Sequence, residues 1–177
     1  MPLQHAEFKL REARFFLRKL QEEVLDSERS SHENFRYYLS AFLAAADTLR
    51  EIGSKDDPAF YGYWATWKAA LPPEDRALVT FMKAQRDSEI HEEGAEVIAE
   101  RTLIDETPGL ATLTPAIAEI IGLEMSFFPR TIRTDWIFEG LGPDQERDVV
   151  PRCARYLELL KGVVREFSAA RGSPPPE

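Results

Sequence analysis

The stretch Phe81-Met82-Lys83-Ala84-Gln85-Arg86-Asp87-Ser88-Glu89-Ile90-His91 carries the side chains whose types and spacing best suit chemistry on an anion. Histidine titrates near neutrality and suits a general base, whereas arginine stays charged and can hold a phosphate and steady charge growing on it. Asp87 lies four residues before His91. On a helix the two share a face, so the carboxylate can hydrogen-bond the imidazole, fix its tautomer and raise its pKa. Arg86 and His91 do not share a face, because five residues on a regular α-helix turn the second about 140° from the first. A site using both on one atom needs the helix to loosen near Glu92-Glu93-Gly94, or a second subunit to complete it.

The other reactive side chains have plainer readings. His5 and His32 stand at helix starts as surface residues. A metal site made of His5, His32 and His91 is the alternative, but the paired Glu-x-x-His motifs of bundle metal centres are missing, so neither metal nor cofactor is expected. Cys153 falls on the apolar stripe of the last helix and reads as core, not nucleophile. Tyr61, Tyr63, Trp64 and Trp67 are of the type that stacks on bases, yet packing beneath a short connecting helix is their commoner use. Arg86, Asp87 and His91 themselves also fit an ordinary solvated helix face.

The elements that position these residues are mostly helical. From Gln4 to Asp26, Phe8, Phe15, Phe16, Leu17, Leu20, Val24 and Leu25 form a broad apolar face among charges. Ser30-Ser31 are N-cap candidates for a second helix bearing Phe35, Tyr38, Leu39, Phe42, Leu43, Ala46 and Leu49, which should end near Gly53 as its C′ residue. Asp57-Pro58 opens a short aromatic segment that Leu71-Pro72-Pro73 breaks. Helix three is expected from Pro73 to Ile98, with Glu74-Asp75 at its positive end. Between Thr102 and Pro143 the helical pattern fails. Thr131 to Glu139 alternates like a strand, Thr114-Pro115 is a candidate helix start, and a small irregular or β-hairpin insertion is expected. Asp148 as N-cap opens the last helix, through Cys153, Tyr156, Leu157, Leu160, Val163, Val164 and Phe167. The whole is mainly α, an up-and-down bundle of four to five helices. It forms one domain over 1–172, with the insertion at 102–143 and a Pro-rich tail at 173–177.

Bulk properties narrow the partners. A chain of 177 residues is domain-sized and buries roughly two thirds of its unfolded surface, so it needs no staple to fold. One cysteine excludes an internal disulfide. No signal-peptide pattern opens the sequence and no run of apolar residues suits a bilayer, which reads as a soluble, cytoplasmic protein without a membrane partner. The net charge of −9 argues against a general nucleic-acid coating role, so any RNA contact must be local.

Arg86 and His91, with a polar residue directly after the arginine, resemble the hallmark of the HEPN superfamily: an arginine, four to six intervening residues and a histidine, late on the third long helix of a helical bundle. Phe8-Lys9-Leu10-Arg11-Glu12-Ala13-Arg14-Phe15-Phe16-Leu17 and Phe35-Arg36-Tyr37-Tyr38-Leu39-Ser40-Ala41-Phe42-Leu43-Ala44-Ala45-Ala46 are similar to that family's opening helices. The resemblance covers Phe8 to His91 best and is weaker for the last helix; the insertion has no counterpart in the minimal bundle. It implies a homodimer with two motif copies facing one cleft, and metal-independent RNA cleavage with Arg86 and His91 catalytic and Asp87 orienting. In that chemistry the histidine takes the 2′-OH proton and the products are a 2′,3′-cyclic phosphate and a 5′-hydroxyl. A toxin or defence role fits, with room for an antitoxin or other partner protein. The alternative is a non-catalytic HEPN module that binds a nucleotide or partner protein, which the acidic neighbours Glu89, Glu92, Glu93 and Glu96 favour.

Overall fold

The computed structural model describes residues 3–25, 31–91, 97–105, 130–139, 141 and 147–172, and of residues 89–91, 100–105 and 130–134 the backbone alone. Among them are five helices and one two-stranded sheet: α1 (Gln4–Leu25), α2 (His32–Asp56), α3 (Ala59–Ala70), α4 (Pro73–His91), β1 (Val97–Asp105), β2 (Arg130–Phe138) and α5 (Val149–Gly172). The fold is thus a mainly α bundle with a small antiparallel hairpin.

The four long helices form a ring, because α1 packs on α2 and α5 while α4 packs on the same two. Each turns one apolar stripe inward. Ala6, Ala13, Leu17 and Leu20 of α1 are buried, as are Phe35, Leu39, Phe42, Leu43 and Leu49 of α2 and Cys153, Leu157, Leu160 and Val163 of α5. They join one apolar cluster with Leu78, Val79 and Met82 of α4. Each large side chain so buried contributes about 1.5–3 kcal/mol, and it is this packing, rather than helix propensity, that holds the helices.

Polar contacts fix how the helices run. The Asp56 carboxylate accepts from the backbone amides of His5 at 2.9 Å and Ala6 at 3.1 Å, filling donors that the start of α1 leaves open. At the other end of this pair Ser31 N donates to Glu23 at 3.1 Å, so α1 and α2 run antiparallel. Asp75 in the first turn of α4 meets Arg155 at 2.7 Å, and Phe81 one turn or more later lies under the Arg152 guanidinium at 4.5 Å. As the α4 number rises the α5 number falls, which makes that pair antiparallel too. Arg171 near the end of α5 grips Asp57 with two bonds of 2.8 and 2.9 Å.

Three sequence expectations change. Helix three does not reach Ile98: α4 ends at His91, and Val97 and Ile98 start β1, which pairs Val97 with Phe138 and Asp105 with Arg130. Strand β1 thus starts at Val97, five residues before the point where the helical pattern was expected to fail. The reason is tertiary, since Val97, Trp136 and Phe138 are buried in the bundle, Trp136 stacked on Phe35 at 4.2 Å and Phe138 edge-on to Phe81 at 5.0 Å. Helix two does not stop near Gly53 but continues to Asp56. Gly53 is instead a point of close approach, where a Cβ would meet Phe60 Cδ1 at 2.5 Å. Third, the broad apolar face expected for the first helix narrows: Leu17 and Leu20 are buried, but Phe8, Phe15 and Leu25 stand exposed, because the bundle covers only the stripe that Ala6, Ala13, Leu17 and Leu20 form. Ser31 does cap α2, accepting from Asn34 N at 3.4 Å. Ser30, Thr114-Pro115 and the 173–177 tail lie outside the described residues.

Candidate functional site

Arg86 and His91 both lie on α4, which is helical through His91, its last residue. In a regular helix the two positions stay about 140° apart around the axis. The His91 side chain, and with it the expected Asp87–His91 hydrogen bond, lies outside the described residues.

Arg86 is set between two carboxylates. Its Nε is buried and lies 3.4 Å from Asp47 Oδ2 of α2, and its Nη1 is 3.5 Å from Asp87 Oδ1. The Nε contact is an ion pair without the alignment of a hydrogen bond. Asp87 gives its other oxygen to Lys83 Nζ at 2.6 Å. That bond, aided by Arg86 and opposed by partial burial, holds the Asp87 carboxyl below its ordinary range. Lys83 thus takes up much of the charge that Asp87 would otherwise direct at Arg86.

Comparison with the other arginines shows what this arrangement leaves over. Arg171 is locked onto Asp57 by two short parallel bonds, and Arg155 reaches Asp75 at 2.8 and 2.7 Å. Both geometries suit structural clamps. Arg86 has only long, single contacts, its side chain is 30% exposed, and its Nη2 has no partner among the described residues. The guanidinium is aimed by Asp47 and Asp87 while keeping donors for a further oxygen anion.

Tyr156 of α5 is 3% exposed, and burial, then the nearby Asp47 charge, push its hydroxyl well above the ordinary range. Gln85 Oε1 is buried with no hydrogen-bond partner among the described residues. Sequence reasoning missed Asp47. The signal was an acidic residue directly beside the inner stripe of helix two, between Ala46 and Leu49.

The remaining candidates are placed as follows. His5 Nδ1 meets Asp56 Oδ1 at 2.5 Å, and the His32 ring lies 5.2 Å from that of Trp136. No group of three metal-binding side chains occurs among the described residues. Cys153 is fully buried and its thiol is pushed up by that burial, as a core residue would be. The aromatic group divides: Trp64 and Trp67 are buried against each other, Tyr63 is edge-on to Phe167, and Tyr61 is exposed beside Arg50. No described helix is long and apolar enough to cross a membrane. Set against protein-family models, curated proteins and solved structures, the chain gives no match in any of the three.

Proposed function

We propose that the chain is a HEPN-type, metal-independent endoribonuclease acting as a homodimer, in a toxin or defence role or in RNA processing. The observation that carries this reading is the half-buried Arg86, aimed by long contacts to Asp47 and Asp87 and still 30% exposed. In the proposed reaction Arg86 binds the scissile phosphate. His91 takes the proton of the adjacent ribose 2′-OH, the oxygen forms a bond to phosphorus, and the bond from phosphorus to the 5′ oxygen breaks, that oxygen taking a proton from water to leave as a 5′-hydroxyl. The 2′,3′-cyclic phosphate remains on the other product. The angular separation of Arg86 and His91 along α4 is the reason for invoking two subunits at one cleft.

The test is cleavage of a mixed RNA pool with product ends identified by mass. The reading expects a cyclic phosphate, insensitivity to excess EDTA, and resistance of a substrate with 2′-deoxyribose at the scissile position. Loss of cleavage on chelation, restored by a divalent ion, would overturn it, as would a monomer by light scattering at micromolar concentration. One observation favours the non-catalytic module: two carboxylates already face Arg86, and each repels a phosphate. On that reading wild type binds nucleotide or a protein partner and releases no cyclic-phosphate product.

A further inference from the structure

The outer face of α1 plays no part in the proposed chemistry. Phe8 and Phe15 stand on it 57% and 44% exposed, seven residues and so about 10.5 Å apart along the axis. The Arg11 guanidinium lies 5.8 Å from the Phe8 ring centre, and Arg18 and Lys19 lie 6.0 and 5.9 Å from that of Phe15. Arg14 is exposed between the two groups. Three of the four acidic side chains of this helix are engaged, Glu12 by Lys9, Glu22 by Lys19 and Glu23 by the Ser31 amide, and Glu7 is exposed at the amino end beside Phe8. Arg11, Arg14 and Arg18 have no carboxylate partner among the described residues, in a chain whose net charge is −9. Arg86, Arg155 and Arg171, by contrast, each face an aspartate.

The pattern selects among occupants. A docking helix or a bilayer surface needs apolar residues at three- and four-residue steps. Here the positions three and four after each phenylalanine are Arg11 and Glu12, then Arg18 and Lys19. No apolar seam forms, and two copies of this face would set arginines against arginines. Exposed rings alternating with arginines that have no carboxylate partner among the described residues match a polymer that offers flat bases and a negative backbone together.

We propose that the outer face of α1 binds a single-stranded nucleic acid, Arg11, Arg14 and Arg18 holding the backbone while Phe8 and Phe15 stack on bases. The inference rests on α1 alone and stands whether or not Arg86 and His91 cleave. Because α1 packs on α2 and α5, across the ring from α4, it engages a part of the strand away from the candidate site. Recognition should tolerate sequence, since every base has a stacking face.

The test is fluorescence anisotropy with the full chain and a labelled 2′-O-methyl oligouridylate of about 16 nucleotides, which the proposed nuclease cannot cut. Wild type should bind, with log affinity falling against log salt at a slope of about −2 from three arginines. Replacing Arg11, Arg14 and Arg18 together with Gln should flatten that slope. The single change Arg14→Gln, at an exposed position, should reduce it by about one third. Phe8→Ala with Phe15→Ala should weaken binding roughly tenfold or more and leave the slope unchanged. No binding by wild type at low salt, or an unchanged slope in both arginine variants, would overturn the proposal. So would a dimer that the double phenylalanine variant converts to monomer, since the face would then belong to a second copy.

Discussion

Replacing Gly53 by alanine should destabilise the protein, although the residue sits inside a helix where alanine is intrinsically favoured by about 1 kcal/mol. The added Cβ would lie 2.5 Å from Phe60 Cδ1, 2.6 Å from Cε1 and 3.3 Å from Cγ, against a normal carbon–carbon contact of about 3.5–4.0 Å. The ring has nowhere to go: Phe60 is 0% exposed and rests edge-on against Phe167 at 5.1 Å and beside Trp64 at 6.1 Å. An overlap near 1 Å belongs at the upper end of the overpacking range, about 3 kcal/mol. Subtracting the propensity gain leaves a loss of about 2 kcal/mol, or a fall in Tm of about 4–8 °C for a chain of this size. Gly62→Ala is the matched control, since nothing lies within 4 Å of a Cβ there; it should hold or raise Tm. Urea and thermal denaturation followed by circular dichroism measure both. A Gly53→Ala protein as stable as wild type would refute the claim that Gly53 exists to admit Phe60, and Phe60→Leu in the same background should recover part of the loss.

Trp136→Ala should cost about 3–5 kcal/mol, because the ring is 4% exposed and stacked on Phe35; Trp136→Phe keeps the stack, removes an indole N–H that has no hydrogen-bond partner among the described residues, and should cost much less. Near-equal melts for the two variants would show that the hairpin is not anchored by this stack. Burial tends to raise the Asp56 carboxyl, but the bonds from His5 and the Ala6 amide outweigh it and leave it below the ordinary range. A carboxyl lowered on folding stabilises above its unfolded pKa of about 4, so that contribution is complete at neutral pH and fades as pH falls through the folded value. Asp56→Asn should therefore lower Tm at pH 7 and lose less than wild type on acidification; parallel pH profiles would contradict this. Cys153 should resist thiol reagents in the native protein and react at the rate of unfolding, and rapid native labelling would remove it from the core.

How far the sequence carried the structure depended on whether a residue's role was local. The inward stripes of α2 and α5 follow a helical period and were readable directly, as were the Ser31 cap and a strand within one residue of Arg130–Phe138, whereas in α1 the period caught Leu17 and Leu20 but also Phe8, Phe15 and Leu25, which are exposed. Val97 and Ile98 were not, because their strand partners Phe138 and Ile137 are distant in sequence and local spacing continued the helix across them. Gly53 looked like a helix terminator for the same reason: only the Phe60 ring, beyond the helix end, explains it. At the candidate site Arg86 and Asp87 were legible from their spacing with His91, whereas Asp47 was not. It reaches Arg86 from another helix, and its place in the sequence resembles any polar residue bordering an apolar stripe.

In the proposed reaction His91 removes the proton from a ribose 2′-OH. This step is tested most directly by comparing wild type with His91→Ala on a defined RNA, quantifying 2′,3′-cyclic phosphate ends while thermal melts monitor the fold. The account predicts cyclic-phosphate product from wild type, none from His91→Ala, and Tm values that agree within a few degrees, since a substitution away from the packed stripe typically costs within about 0.5 kcal/mol. Equal cleavage by His91→Ala, or no cyclic phosphate from wild type, would contradict it, and a melt far below wild type would make His91 a structural residue.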